Sequence, residues 1–189
     1  MNLRHFSGVE HASNQEYVHR VNVKNGWYDR PVSFLEAMAL MMTEVVEIGD
    51  AGLGVKSGSS KADPQMASEF ADCYIRLVDN AVRFDADLSV IIDAYQHSYT
   101  KRAYWSFDGM CMQLMRRVRD AVEAYRKEGP QSTSAGKFGL GPDTRKALAH
   151  FYLQLQDTCD DFGVSLPDEF SRKMAVNETR GYRHGNKFA

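Results

Sequence analysis

The sequence predicts an all-α fold, and three observations predict it. Apolar residues recur at three- and four-residue spacing in successive segments, as Phe34, Met38, Met41, Val45 and Ile48 do. Helix start and stop residues punctuate those segments: Ser33 with Glu36 after Pro31, Asp63 before Pro64, and Asn25-Gly26. Over 189 residues, a hydrophobic content of 43% can bury one good core or two small ones, in a chain neither disordered nor fibrous.

The first helix is expected over residues 14–23, with Tyr17, Val18 and Val21 facing inward. Its Glu16-x-x-His19 has the spacing of half a di-iron carboxylate site. That fold needs two such motifs and one is present, so a surface Glu and a partly buried His are expected instead. The second helix spans residues 33–50. The Gly- and Ser-rich loop after it carries Lys56 and Lys61 and lacks the fixed Gly-x-x-x-x-Gly-Lys spacing; it is either a plain linker or a segment that closes over phosphates. The third helix opens at Asp63-Pro64 and carries Glu69, Asp72, Arg76 and Asp79 along one side. Asp79 is placed either to orient a ligand or Lys173, or to pair with Arg76 or Arg83.

A short helix over residues 87–96 and a connection over 97–105 follow. A Met-rich helix over 107–127 reads as adaptable core, and residues 129–141 as a linker. Helices over 143–162 and 167–179 close the chain. The whole reads as one domain, 1–189. Residues 14–96 bear the acidic motifs, 97–166 form an additional helical pair with its linker, and 167–189 form a final helix and basic tail. One internal echo stands out: Tyr74, Leu77, Asp79, Phe84 and Leu88 reappear 78 residues later as Tyr152, Leu155, Asp157, Phe162 and Leu166. Either the second part is a degenerate duplication that has lost its acids, Glu69 falling on Ala147 and Asp72 on His150, or two amphipathic helices resemble each other by chance.

Twenty-three basic against 25 acidic residues leave no field to hold a nucleic-acid backbone, so no nucleic-acid partner is expected. The three cysteines form no Cys-x-x-Cys pair and read as buried apolar residues in a reducing compartment. No apolar run reaches membrane-spanning length and the opening residues carry no secretion signal, which points to a cytoplasmic protein.

The chemistry is concentrated in Glu44-Val45-Val46-Glu47 and Glu69-Phe70-Ala71-Asp72. Residues three apart share a helix face, so each pair of acids projects together beside an apolar stripe. Carboxylates there repel one another and lose hydration unless a cation lies between them; a hard divalent ion with oxygen ligands, Mg²⁺ or in its place Mn²⁺, removes that cost. The plain alternative is a solvated acidic face. Trp27 either stacks on a nucleobase or packs in the core.

The stretches Gly26-Trp27-Tyr28-Asp29, Leu40-Met41-Met42-Thr43-Glu44-Val45-Val46-Glu47, Glu69 to Asp79 and Lys173 to Phe188 resemble, in order, the MazG-like family of all-α nucleoside triphosphate pyrophosphohydrolases. Many members carry a further Glu where this chain has Thr43. The resemblance implies a helical bundle, here with an extra helical pair, and a Mg²⁺-dependent cleavage of (d)NTP to (d)NMP and pyrophosphate. It implies Glu44, Glu47, Glu69 and Asp72 as catalytic metal ligands, Trp27, Lys173, Asn177 and Arg180 as substrate-binding residues, and a homodimer. The rival reading is a catalytically silent helical assembly that binds a nucleotide without cleaving it.

Overall fold

The periodic segments form seven α-helices among the residues described by the computed structural model, 3–52, 62–132 and 138–183. They are α1 (Gly8–Lys24), α2 (Phe34–Gly52), α3 (Pro64–Arg83), α4 (Leu88–Tyr95), α5 (Phe107–Glu128), α6 (Pro142–Asp161) and α7 (Leu166–Thr179), with a 3₁₀ turn over Gln96–Ser98. Helix α1 begins six residues before its expected start. Ser7 and Glu10 form a reciprocal capping box, in which the Glu10 amide donates to Ser7 Oγ (3.3 Å) and the Ser7 amide to Glu10 Oε2 (2.9 Å). Only His11, Val18 and Val21 of α1 are buried, too sparse a stripe to reveal the first two turns by periodicity. The expected linker over 129–141 contains a short antiparallel pair, Gln131–Ser132 with Phe138–Gly139.

Two of the expected caps close their helices as anticipated. Asp63 accepts from the Met66 amide (2.8 Å) ahead of Pro64, and Asn25 ends α1 with Gly26 at φ 80°. The box at the start of α2 is half made: the Glu36 amide donates to Ser33 Oγ (3.2 Å), while the Glu36 carboxylate turns to Arg30.

The sequence echo is also a backbone repeat. A displacement of 78 residues carries Pro64–Arg83 onto Pro142–Asp161, and Leu88 at the start of α4 onto Leu166 at the start of α7. The turns between them coincide: Phe84 and Phe162 are C-caps, and Asp85 (φ 53°) and Gly163 (φ 68°) are left-handed. Amide bonds from Ala86 to the Ala81 carbonyl and from Val164 to the Cys159 carbonyl, both 2.8 Å, close each turn. A displacement of 76 carries α2 onto residues 110–128 of α5, so that buried Phe34, Met38 and Val45 fall on buried Met110, Leu114 and Ala121.

Helix α3 packs on α7 while α6 packs on α4, the reciprocity of a two-fold-related contact. The equivalent Tyr74 and Tyr152 meet with ring centroids 5.9 Å apart. The fold is thus two three-helix units, α2–α4 and α5–α7, with α1 laid against α3 and α4. Tyr74 is fully buried at the centre, its hydroxyl 2.8 Å from His11 Nδ1 and accepting from Asn14 Nδ2 at 3.1 Å. Cys73 and Cys159 are buried as expected, Cys111 is half-buried, and all three are free. No described helix is long and apolar enough to cross a membrane.

The repeated turn sets a testable order of stabilities. Gly163→Ala places a Cβ in the left-handed region and is expected to lower stability by about 1–2 kcal/mol, while Gly163→Asn costs less, because short polar side chains enter that region as Asp85 does. Urea unfolding of the two variants reads the difference.

Candidate functional site

Glu69, Asp72, Arg76, Asp79 and Arg83 follow at intervals of three and four along α3 and therefore share one face. That face lines a cleft of about 410 Å³, whose other walls come from α2, α7, the end of α1 and the turn after it. All eight residues singled out in the sequence line it: Trp27, Glu44, Glu47, Glu69, Asp72, Lys173, Asn177 and Arg180. The buried stripe of α2 (Met38, Met41, Val45, Ile48) sets its rotation, which leaves Glu44 buried at the cleft wall and Glu47 exposed beside it.

Carboxylate oxygens of Glu44, Glu47 and Glu69 all lie within 4.8 Å of one another. Asp72, expected as a fourth member, stands outside that group and pairs with Lys173, Oδ2 to Nζ 2.5 Å. Lys173 Nζ also donates to Ser68 Oγ (3.0 Å). Glu44 Oε1 accepts from Arg76 Nε (3.1 Å) and Nη2 (2.5 Å), and Glu69 Oε1 from Gln65 Nε2 (2.7 Å). The chain thus supplies two cations of its own, and a metal ion is not the sole relief of the acids' repulsion. The relief is partial. Burial raises the pKa of Glu44 against the lowering effect of Arg76, with Asp72 and Glu47 raising it further. Glu69 is raised by burial and then by Asp72, against Lys173 and Gln65. A donor set made only of carboxylate oxygens fits a hard divalent cation such as Mg²⁺ or Mn²⁺.

The other end of the cleft is built from amides and one aromatic ring. Trp27 is half-buried and lines the cleft. The turn that presents it requires Gly26, because φ is 80° and a Cβ there would lie 2.3 Å from the Tyr182 ring. Arg183 donates its amide to the Asn25 carbonyl (2.9 Å), and Asn25 Nδ2 donates to the Asn177 carbonyl (3.1 Å), so the C-terminal segment is stitched to this turn. Asp79 reaches neither Lys173 nor Arg76. It accepts from Arg83 Nε (2.6 Å), Asn22 Nδ2 (2.8 Å) and the Tyr28 hydroxyl (2.9 Å), while Arg83 lies 3.9 Å over the Tyr28 ring and donates to the Trp27 carbonyl (2.9 Å). Asp79 therefore anchors the Trp27 turn.

Sequence reasoning missed the Glu44–Arg76 pair, although Arg76 lies one helical turn beyond Asp72 on the acidic face. Glu16 is exposed and His19 sits edge-on to Tyr28 at 4.6 Å, as the single motif implied. Lys56, Lys61, His184 and Lys187 lie outside the described residues.

A smaller cleft of about 190 Å³ lies between α5 and α6, the twins of α2 and α3. The repeat carries Glu44 onto Asp120, Glu47 onto Glu123, Glu69 onto Ala147 and Asp72 onto His150. Asp120 is taken up by Arg102 and Arg119, and Glu123 by Arg126. At these equivalent positions α5 carries acids that are paired with arginines, and α6 carries no acid where α3 has Glu69 and Asp72.

The raised pKa values fix a sign. Glu44 and Glu69 hold protons more tightly folded than unfolded, so their contribution to stability is full below the ordinary value of 4.5 and is lost as pH rises through their raised values. Without divalent ions, Glu69→Gln is expected to melt above the wild type at neutral pH, with the gap closing near pH 4. Saturating Mg²⁺ should raise the wild type more than the variant; melting curves across that pH range check both. Against this geometry, no family model, no curated protein and no solved structure matches the chain.

Proposed function

We propose that the chain is a nucleoside triphosphate pyrophosphohydrolase dependent on Mg²⁺, with Mn²⁺ as a substitute, that converts (d)NTP to (d)NMP and pyrophosphate. The observation that carries this reading is the meeting of the Glu44, Glu47 and Glu69 oxygens within 4.8 Å, in one cleft with Trp27, Lys173, Asn177 and Arg180. Hydrolysis between the α and β phosphates adds water oxygen to the α-phosphorus. The bond to the bridging oxygen breaks and pyrophosphate leaves with that oxygen. Glu44, Glu47 and Glu69, with Asp72 beside them, would hold the ion; when bound, it neutralises phosphate charge and lowers the pKa of a water.

The chain's own groups do the rest. Glu44 is held by Arg76, whereas Glu47 is exposed and no ion pair to it forms among the described residues, so Glu47 is the better acceptor for the water proton. Lys173 and Arg180 offer positive charge to the leaving pyrophosphate. The proposal extends to a cytoplasmic homodimer, supported by three free cysteines and by Leu35 and Val46, half exposed on α2.

One observation favours a silent nucleotide-binding module: Arg76 and Lys173 already pair with two of the four acids. Pyrophosphate release from canonical and modified nucleoside triphosphates in Mg²⁺, with diphosphates as controls, decides between them. Release is expected to depend on the metal, and Glu47→Gln to lower kcat roughly a hundredfold or more with KM little changed. Metal-independent binding with no release from any triphosphate would select the silent module.

A further inference from the structure

The displacement of 76 residues carries the buried stripe of α2, Met38, Met41 and Val45, onto Leu114, Arg117 and Ala121 of α5. An arginine therefore stands where the twin helix packs a methionine. Arg117 is 5% exposed, and a charge so deeply buried loses its hydration unless an opposite charge replaces it. None does among the described residues. Arg117 Nη2 donates to two neutral acceptors, the Thr100 carbonyl (2.5 Å) and Gln154 Oε1 (3.4 Å), and Arg117 Nε has no hydrogen-bond partner. The Tyr99 ring, 5.2 Å from the guanidinium carbon, offers a polarisable face but no counter-charge.

Arg117 lines the cleft of about 190 Å³ between α5 and α6, together with Lys146 and His150, which share one face of α6. Lys146 likewise forms no ion pair among the described residues. Arg102 adjoins the same place: its amide donates to the Gln154 Oε1 that Arg117 uses (2.8 Å), its Nη2 holds Asp120, and its Nη1 is buried without a partner. Burial lowers the pKa of His150, and Arg117, Lys146 and Arg102 lower it further against the Tyr95 carbonyl, so three cations act on one imidazole. Two carboxylates line the cleft. Asp120 is taken up by Arg102 and Arg119, and Asp143 is exposed. Where the first unit gathers acids that lack a cation, the second gathers cations that lack an anion.

We propose that the cleft between α5 and α6 is a second binding site, which takes a phosphate group on Arg117 and Lys146 and is separate from the carboxylate cleft. A guanidinium and an ammonium both donate to phosphate oxygens, and two unpaired cations match a phosphate's charge of about two, where a carboxylate supplies one. The cleft is smaller than the roughly 300 Å³ at which sites for drug-sized ligands begin, so the phosphate group enters and a nucleoside stays outside. The site does not depend on the hydrolase reading of the large cleft.

Calorimetric titration of the full-length protein in EDTA at constant ionic strength, with inorganic phosphate, pyrophosphate, AMP and acetate, tests the site. Phosphate and pyrophosphate are expected to bind once per chain and acetate far more weakly. AMP tighter than phosphate would assign the site to a phosphate carried on a nucleotide, and AMP equal or weaker to the free ion. Arg117→Met, which restores the residue type of the twin helix, and Lys146→Met, a change at a half-buried position, should each weaken phosphate roughly tenfold or more. Asp143→Asn, which removes a repelling charge, should tighten it. Lys173→Met, in the large cleft, should leave it unchanged. No binding at millimolar phosphate, equal binding by the wild type and both cation variants, or loss confined to Lys173→Met overturns the proposal.

Discussion

Two carboxylates held at the edge of a hydrophobic core, Glu44 on α2 and Glu69 on α3, set the character of this molecule. Each is nearly inaccessible to water, and each is raised in pKa chiefly by that burial. Loss of hydration at such positions costs several kcal/mol unless something positive compensates. Arg76 and Lys173 compensate in part, and they do so from opposite walls: Arg76 from α3 across to α2, Lys173 from α7 across to α3. The same two ion pairs therefore close the cleft walls electrostatically and leave the three-carboxylate group short of full neutralisation.

The internal repeat explains why one such place, rather than two, is found among the described residues. Both units rebuild the same helix, left-handed turn and helix, and both present an aspartate that accepts a tyrosine hydroxyl, Asp79 from Tyr28 and Asp157 from Tyr99. They diverge at the positions that would carry charge into the core. Ala147 and His150 stand where Glu69 and Asp72 would be, and without those acids Asp120 and Glu123 become ordinary partners of nearby arginines. Helix α3 buries thirteen of its twenty residues and α6 eleven of its twenty, so α3 carries its acids without packing less than its counterpart.

Helix periodicity made much of this legible in the sequence. It placed Glu44 with Glu47 and Glu69 with Asp72 on shared faces, and the caps at Asp63 and Asn25 marked the start of α3 and the end of α1. The offset of 78 residues was visible from the match of Tyr74, Leu77, Asp79, Phe84 and Leu88 with Tyr152, Leu155, Asp157, Phe162 and Leu166. Choices between partners were not legible. Spacing along α3 offers Asp79 to Arg76 and Arg83 alike, and only the position of Tyr28 and Asn22 in space selects Arg83. Asp72 satisfied the four-acid pattern, but α7 brings Lys173 to within 2.5 Å of it, and a contact between residues 72 and 173 has no local signature. The first two turns of α1 escaped notice because a capping box, not an apolar stripe, specifies them.

Asn80 belongs to the same class of hidden features, for a different reason. A buried asparagine inside an apolar helix face reads in sequence as an interruption, whereas in space it is an amide at the wall of a cleft. The acidic end of the cleft is fixed by two neighbouring helices and needs little else. The amide end draws on the end of α1, the Trp27 turn, α3 and α7, held together by Asn25, Arg183 and the close approach of Tyr182 to Gly26. An end assembled from four separate parts of the chain can change its hydrogen-bonding pattern by single substitutions without disturbing the acids. The carboxylates and the amides therefore occupy separable ends of the cleft, the first tied to helix geometry and the second to the side chains that close the far wall.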